Sequence, residues 1–324
     1  MLGGTGTIGR SAVAALIARG YKVTCIARSK AGRKRNREKT ADLLDGAQVL
    51  FGDVTDTNFL ADQVFANQQF DAVMSCLASR TGAPRDAWAI DYQAHESVLN
   101  LAKANGVGQM VLLSAICVQK PRLVFQQVKL KFEKSLIESG LTYSIVRPTA
   151  FFKSLAGQVS RVKKGKAFLV FGDGTEIACK PISDGDLANY LVDCLEDASL
   201  QNKILPIGGP GPALTPRQQG EYLFSLLDRE PKIKSVPVSL LSGIASFLSG
   251  TAKILPPLAG VAELAWIGHY YATESMLVLN PETGLYDADA TPETGTETLL
   301  DYFERLVDGR EAAERGDFAI YPES

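Results

Sequence analysis

A glycine-rich turn at the start of the chain limits its possible folds more than any other feature. Glycines stand at positions 3, 6 and 9, and apolar residues at helical spacing follow them. In such a turn the first glycine allows a tight bend, the second lets the backbone approach a pyrophosphate, and the third lets a helix pack close to a strand. The helix N-terminus offers free N–H groups to that pyrophosphate. Because a strand-like run at 22–27 follows at βαβ distance, we interpret the turn as a dinucleotide site rather than an ordinary glycine turn.

The rest of the chain alternates between strand-like and helical patterns, which is typical of an α/β fold. Strand-like runs lie at 48–51, 72–77, 110–113, 142–150, 167–171, 177–182 and 203–207, and helical patterns lie at 91–104 and 184–196. We predict a Rossmann-like doubly wound parallel sheet over residues 1–150. Residues 151–324 are predicted to add the remaining sheet elements and a smaller C-terminal substrate-binding cap. Because only Met1 and Leu2 precede the glycines, we expect a truncated first strand.

Composition excludes several classes of function. The net charge of the 324 residues is −2, so no nucleic-acid partner is predicted. The five cysteines are odd in number and form no CxxC pair, which indicates reduced thiols. His95 and His269 are the two histidines and lie far apart, so we predict no metal site.

Two polar residues bear on which dinucleotide is bound. Arg28 follows the strand at 22–27, where an NAD site usually has Asp or Glu, and an arginine there accommodates a 2′-phosphate. This favours NADPH; the alternative is a solvated surface arginine. Asp53 ends the next strand and can bind the adenine amino group, or it can equally be a turn or N-cap aspartate. The basic run at 30–39 is typical of a solvated loop.

Phe125, Lys129 and Glu133 lie four residues apart and therefore share one helix face. This stretch resembles the short-chain dehydrogenases, in which a Tyr stands at the position of Phe125. The resemblance implies that Lys129 binds the nicotinamide ribose and that Ser114, at the end of the preceding strand, is the companion serine. We therefore predict Lys129 and Ser114 as catalytic residues. The alternative is an ordinary amphipathic helix with an exposed lysine.

The predicted ligand contacts follow from these positions and from the ends of the parallel strands, where open α/β sheets bind ligands. The predicted cofactor contacts are Gly3, Thr5, Gly6, Ile8, Gly9, Arg28, Asp53, Val54, Leu77, Ala78, Lys129 and Pro148. The predicted substrate contacts are Phe151 and Phe152, which follow the strand that Pro148 ends.

Residues 237–271 are strongly apolar. Between positions 238 and 271 the only charged side chains are Lys253 and Glu263. Gly250 and the prolines at 256 and 257 interrupt the segment, so it contains no convincing spanning helix of roughly 20 apolar residues. Two interpretations stay open: buried cap helices, or an apolar lid over a large flat ligand that also makes a peripheral membrane contact.

Long strings of this chain resemble a specific family, the NADPH-dependent divinyl chlorophyllide 8-vinyl reductases, which are atypical short-chain dehydrogenases. The resemblance is carried by residues 112–121, 143–155, 171–174, 179–183, 207–211 and 270–277. It implies that the 8-vinyl group of a divinyl (proto)chlorophyllide, a Mg-tetrapyrrole, is reduced to ethyl in chlorophyll or bacteriochlorophyll biosynthesis. It also implies a photosynthetic organism, and we expect a bacterial cytoplasm, with a chloroplast protein lacking its targeting peptide as the alternative.

The missing tyrosine fits this chemistry. Reducing a carbonyl places charge on oxygen, where a phenol helps, whereas hydride addition to a conjugated vinyl group lets the anion spread into the macrocycle. The expected proton donors are Lys129, Tyr143 or water. The rival interpretations are a non-catalytic NADP-sensing regulator, a reductase of a phenylpropanoid-like or nucleotide-sugar substrate, and an assembly or scaffold protein of a photosynthetic membrane.

Overall fold

Strands and helices alternate through most of the chain in the computed structural model, which describes residues 1–28, 34–252 and 259–311. The strands are β1 Thr24–Ala27, β2 Gln48–Phe51, β3 Ala72–Ser75, β4 Gln109–Leu113, β5 Thr142–Pro148, β6 Phe168–Phe171, β7 Lys203–Ile207, β8 Ile233–Val236, β9 Val278–Leu279 and β10 Tyr286–Asp287. The α-helices are α1 Thr7–Ala18, α2 Lys34–Asp42, α3 Thr57–Phe59, α4 Pro84–Ala87, α5 His95–Ala104, α6 Val124–Glu138, α7 Phe152–Leu155, α8 Val159–Lys163, α9 Asp184–Glu196, α10 Pro216–Ser225, α11 Val238–Ala252, α12 Ala259–Thr273 and α13 Leu299–Val307. Among the described residues, the segments Leu60–Phe65, directly after α3, and Trp88–Ala94, directly before α5, are π-helical.

Contacts divide the chain into two compact units, which we describe separately. Unit 1 comprises Met1–Arg147 and Leu187–Leu205, and unit 2 comprises Pro148–Asp186 and Pro206–Ser324. The sequence predicts a single division at residue 150. The chain instead returns to unit 1 with most of α9 and the first residues of β7.

The sheet of unit 1 has a doubly wound strand order. β3, β4, β5 and β7 form one four-stranded sheet, and β1 pairs with β2. Two residues join these sheets, because Met1 accepts a hydrogen bond from the N–H of Ile26 at 3.2 Å and Leu2 donates its N–H to Met74 at 2.9 Å. The resulting order is β2-β1-(Met1 and Leu2)-β3-β4-β5-β7. Its direction reverses between Leu2 and β3, where such sheets bind ligands.

A buried histidine lies beneath this point in unit 1. His95 packs its ring 4.8 Å from that of Phe132. Its Nδ1 lies 2.8 Å from the carbonyl oxygen of Ile90, and its Nε2 lies 2.7 Å from the hydroxyl of Ser75. Because a carbonyl only accepts, we assign the proton to Nδ1, and Nε2 then accepts from Ser75. Burial lowers the pKa of His95 to about 4, against the smaller raising effects of the Ile90 hydrogen bond and the Asp91 charge.

The described part of unit 2 contains two small sheets and its own apolar core. β6 pairs in parallel with β8, and β9 pairs antiparallel with β10. The buried core of unit 2 includes Phe168, Phe224 and Phe303. The predicted strand at 177–182 is wrong, because only single bridges form there, at Cys179 and Ile182. Pro181 lies between them and has no N–H to donate to a ladder.

Helices α11 and α12 pack against each other in unit 2, and we call them the helical hairpin. The interpretation of this segment as buried helices is wrong for one face of the hairpin, which exposes Leu240, Ile244, Phe247, Val261 and Leu264. In the described part of the chain no helix has both the length and the apolar character needed to cross a membrane.

The basic run at 30–39 was expected to be a loop, and this prediction is wrong from Lys34 onward, where α2 begins. Arginine and lysine have good helix propensity, so a charged run can form a solvated helix as readily as a loop. The residues of the run before Lys34 lie outside the described residues. Arg28, which precedes the run, is described.

His95 predicts an acid sensitivity of unit 1. Its pKa rises from about 4 to its ordinary 6.5 on unfolding, so the unfolded chain binds an extra proton between these values. Its contribution to stability is therefore complete above pH 6.5 and is lost as the pH falls toward 4. We expect the wild type to lose about 2 kcal/mol more than His95→Gln in the free energy of unfolding between pH 7 and pH 5.

Urea unfolding of both proteins at the two pH values measures this difference, and the carboxylates that also titrate in this range cancel in the comparison. Equal losses in the two proteins would contradict the assignment of a neutral, buried His95.

Candidate cofactor site

The opening turn is held together by close backbone contacts. Gly3 has φ of +70°, a conformation that favours glycine, and the N–H of Gly6 donates to the Gly3 carbonyl at 3.0 Å. A Cβ on Gly3 would lie 2.6 Å from the backbone of Cys76 and Leu77, and a Cβ on Gly9 would overlap the carbonyl oxygen of Gly3. The turn is thus pressed between the start of α1 and the segment that follows β3.

Gly6 differs from the other two glycines because the protein leaves open space beside it. Among the described residues, a Cβ on Gly6 would meet within 4 Å only the Gly3 carbonyl oxygen, at 3.4 Å. Gly6 is also the N-cap of α1, with no side-chain cap and no acidic residue in the first turn. The first N–H groups of α1 are therefore available to an anion, and this geometry fits the pyrophosphate of a dinucleotide.

Three other predicted cofactor contacts, in the turn and after β2, differ in their exposure. Thr5 is exposed beside Gly6. Ile8 is buried, so only its main-chain atoms are available to a ligand. Val54, predicted at the end of β2, likewise belongs to the core of unit 1.

Arg28 and Asp53 follow the neighbouring strands β1 and β2, and both are exposed. Asp53 accepts hydrogen bonds from the N–H and hydroxyl of Thr55 at 2.9 and 2.8 Å. These bonds lower the pKa of Asp53, and the charge of Arg28 contributes less. Asp53 therefore forms the turn that the sequence offers as one alternative, while its contact with adenine stays a prediction.

The segment after β3 contributes Leu77, which is half-buried, and Ala78, which is exposed. Ser75 accepts the Leu77 N–H at 3.3 Å, so the buried His95–Ser75 pair supports this segment. Burial raises the pKa of the adjacent Cys76 thiol to about 12, so this cysteine is not a thiolate at neutral pH.

Lys129 lies on α6 in a partly buried ion pair. Its Nζ is 2.9 Å from Oδ1 of Asp91, and the two side chains are 13% and 0% exposed. Asp91 Oδ1 also accepts the N–H of Ser79 at 3.2 Å. The alternative of an exposed lysine on an ordinary amphipathic helix is therefore wrong. Sequence analysis missed Asp91, since only the Phe125–Lys129–Glu133 face pointed to a polar cluster here.

Ser114 lies in a second buried cluster. Its hydroxyl donates to Oε1 of Glu133 at 2.5 Å, and Nε of Arg147 donates to the same oxygen at 3.2 Å. A terminal nitrogen of Arg147 binds the other Glu133 oxygen. Because its one hydrogen is donated to the Glu133 carboxylate, which Arg147 also binds, Ser114 offers a ligand only lone pairs. In this geometry Ser114 does not donate a proton.

Tyr143 is one of the three expected proton donors, with Lys129 and water. This residue is the second of β5, opposite Met110 in β4, whereas Ser114 follows the other end of β4. Tyr143 therefore lies toward the amino ends of the strands, opposite the edge that carries the glycine turn. The expectation that Tyr143 donates the proton is wrong, because strand direction places it away from the site.

The ligand contacts predicted in unit 2 also differ in their exposure. Phe152 is 2% exposed and packs its ring 5.5 Å from that of Tyr302. Its predicted substrate contact is wrong, since the side chain belongs to the core. Phe151 is half-buried and pairs with Ile182 through one bridge, and its contact with substrate stays a prediction. Pro148 is buried.

The described residues contain no group of three or more His, Cys, Asp or Glu side chains that would hold a metal ion.

The glycines of the turn predict two different mutant phenotypes. Gly6→Ala fits its backbone conformation, so we expect the free energy of unfolding to rise by roughly 0–1 kcal/mol while NADPH binding weakens about ten-fold or more. Gly9→Ala overlaps backbone atoms, so we expect it to destabilise unit 1 by about 3 kcal/mol.

Urea unfolding and fluorescence titration with NADPH measure the two effects. If Gly6→Ala bound NADPH with the affinity of the wild type, the assignment of this turn as the cofactor site would be contradicted.

Known proteins resemble this chain over most of its length. An NAD(P)H-binding family model matches residues 3–198. The chain is 48% identical to the divinyl chlorophyllide a 8-vinyl-reductase, chloroplastic, of Cucumis sativus, over 99% of this chain and 79% of that protein. It is 49% identical to the protein of the same name from Arabidopsis thaliana, over 98% of this chain and 78% of that protein.

Among solved structures, the NADPH complex of the quinone oxidoreductase QOR2 from Escherichia coli has the same fold. It matches with a TM-score of 0.66 at 19% identity, over 94% of this chain and 98% of that chain. Taken with the geometry of the opening turn, these matches show that the chain belongs to the divinyl chlorophyllide a 8-vinyl-reductase family and has an NAD(P)H-binding Rossmann-like domain.

Proposed function

We propose that this protein reduces the 8-vinyl group of a divinyl chlorophyllide or protochlorophyllide to ethyl, with NADPH as the cofactor, in chlorophyll or bacteriochlorophyll synthesis. The observation that carries the proposal is near 50% identity over almost the whole chain to reductases of that name. This protein is located in the cellular compartment that synthesises these pigments. The names of the plant relatives include the word chloroplastic, which supports a chloroplast over the bacterial cytoplasm that we expected.

When bound, NADPH supplies a hydride, and a proton completes the addition of two hydrogens across the vinyl bond. The residues of the chain hold the reactants and exclude water. The turn at Gly6 holds the pyrophosphate, and Lys129 binds the nicotinamide ribose. Phe125, 9% exposed, occupies the position of a phenol with an apolar ring. No alkoxide forms in this reaction, so the site functions without that phenol. Because Tyr143 lies toward the amino ends of the strands, Lys129 and water are the expected proton donors that we retain.

The direct test is an assay of purified protein with NADPH and divinyl chlorophyllide a, followed by mass spectrometry of the pigment. We expect a product that has gained two hydrogens and has lost the absorption signature of the second vinyl group. A protein that binds NADPH and leaves the pigment unchanged would contradict the proposal and favour the rival role of an NADP-sensing regulator.

Arg28 predicts the choice of cofactor. A charge-assisted hydrogen bond from arginine to the 2′-phosphate contributes about 1.5–3 kcal/mol, so Arg28→Ala should lower kcat/KM for NADPH about ten-fold or more and leave that for NADH unchanged. Arg310→Ala, an exposed arginine of unit 2, is the control. Equal kcat/KM values for NADPH in wild type and Arg28→Ala would support the surface-arginine alternative.

The helical hairpin supports a second part of the proposal, a peripheral contact with lipid. Its exposed face carries large apolar side chains, among them Phe247 at 70% exposure. Helix α11 has no charged side chain, so burying its face in a lipid surface desolvates no ion. The same face is also the one that we would expect to act as an apolar lid over a flat pigment.

A charge placed on this face separates the two roles. We expect Phe247→Asp to reduce co-sedimentation with vesicles by at least about five-fold, because insertion would bury a carboxylate. Leu285→Asp is the matched control, since Leu285 is 69% exposed in unit 2 but lies outside the hairpin. Loss of activity on detergent-dispersed pigment with unchanged vesicle binding would support the lid and contradict the lipid contact.

A further inference from the structure

Asp91 lies at a junction of unit 1 that sequence analysis did not single out. It is part of the π-helical segment Trp88–Ala94, directly before α5. Such segments are uncommon and are found frequently at functional sites. Asp91 Oδ1 accepts from both the Lys129 ammonium and the Ser79 N–H, at 2.9 and 3.2 Å. One carboxylate oxygen therefore ties α6 to the segment after β3.

The second oxygen of the same carboxylate has no partner of its own. Oδ2 of Asp91 is buried and accepts no hydrogen bond from any residue that the structure describes. A buried carboxylate oxygen without a donor is costly, and native proteins leave few of them unexplained. A ligand that brings a hydroxyl group would satisfy this atom.

The position of Asp91 indicates which ligand that is. Ser79, its main-chain donor, lies two residues beyond Leu77, whose backbone N is 2.6 Å from the Cβ position of Gly3. Asp91 is thus connected through one short segment to the turn that holds the pyrophosphate. Its other partner, Lys129, makes one hydrogen bond within the described chain and has two more N–H donors for a ligand.

We propose that Asp91 is a positioning residue that fixes the Lys129 ammonium and, through its free Oδ2, accepts a hydroxyl hydrogen from the nicotinamide ribose. This inference rests on the proposed function, in which Lys129 binds that ribose. Lysine has a flexible stem and a compact charge, so it needs a fixed partner to hold one position. A ribose diol suits the pair, since Lys129 donates to one oxygen and Asp91 accepts from another.

The test compares two ligands that differ in the nicotinamide half. NADPH contains the nicotinamide ribose, and 2′,5′-ADP does not. We expect Asp91→Asn to raise the dissociation constant of NADPH about ten-fold or more and that of 2′,5′-ADP less than two-fold. Lys129→Ala should show the same selectivity. Asp91→Glu keeps the charge and should recover part of the NADPH affinity.

Asp193→Asn is the matched control, because Asp193 also pairs with a basic residue of unit 1, Arg19, at 2.6 Å, at the far end of α1. It should change neither dissociation constant. Equal weakening of both ligands by Asp91→Asn and Asp91→Glu would indicate a merely structural ion pair and overturn the inference. If Lys129→Ala weakens NADPH and Asp91→Asn does not, the inference fails and the role of Lys129 stands. If neither variant changes NADPH binding, the role of Lys129 in the proposed function fails as well.

Discussion

The close approach of backbone to backbone at the opening turn is the constraint on which the cofactor site depends. Gly3 is pressed against the segment after β3, and Gly9 is pressed against Gly3 itself. These contacts leave no room for a Cβ, and they bring the N-terminus of α1 to the point where the strand order reverses. The open space beside Gly6 can receive a ligand because Gly3 and Gly9 are held in fixed positions.

Two partly buried ion pairs of unit 1 each contain an acid that accepts more than one donor. Asp91 binds Lys129 and Ser79, and Glu133 binds Arg147 and Ser114. Burying an ion pair costs desolvation, and removing one partner costs still more. Such pairs are weak devices for stability but effective at fixing orientation, which suits a site whose chemistry requires alignment of hydride and vinyl group more than it requires a strong acid.

Much of the fold could be predicted from local pattern. The sequence predicts α9 and β7 with the bounds that the structure has, because hydrophobic periodicity and flanking turns mark them clearly. The strand predicted at 177–182 failed because an internal proline disrupts its ladder. A buried aromatic and a ligand-facing aromatic have the same sequence pattern, so the assignment of Phe152 required the structure.

The candidate site could be predicted only in part, since its polar contacts join distant segments. The glycine turn follows from spacing and Lys129 from the resemblance to short-chain dehydrogenases, whereas the partner of Lys129 is 38 positions away and is set by the packing of helices. The role of Tyr143 required strand direction, which a list of nearby sequence motifs does not contain. The sequence thus predicts which residues have reactive side chains more readily than it predicts the hydrogen bonds that those side chains already make.

The discontinuity of unit 1 has a consequence for how the chain is synthesised. β5 has β4 on one side, but its other neighbour, β7, belongs to a stretch that the ribosome makes only after Pro148–Asp186 of unit 2. Until then β5 is an edge with unpaired N–H and C=O groups, which is the kind of edge that invites pairing with other chains. A nascent or artificially shortened chain that stops near residue 150 therefore exposes a strand edge that β7 covers in the longer chain.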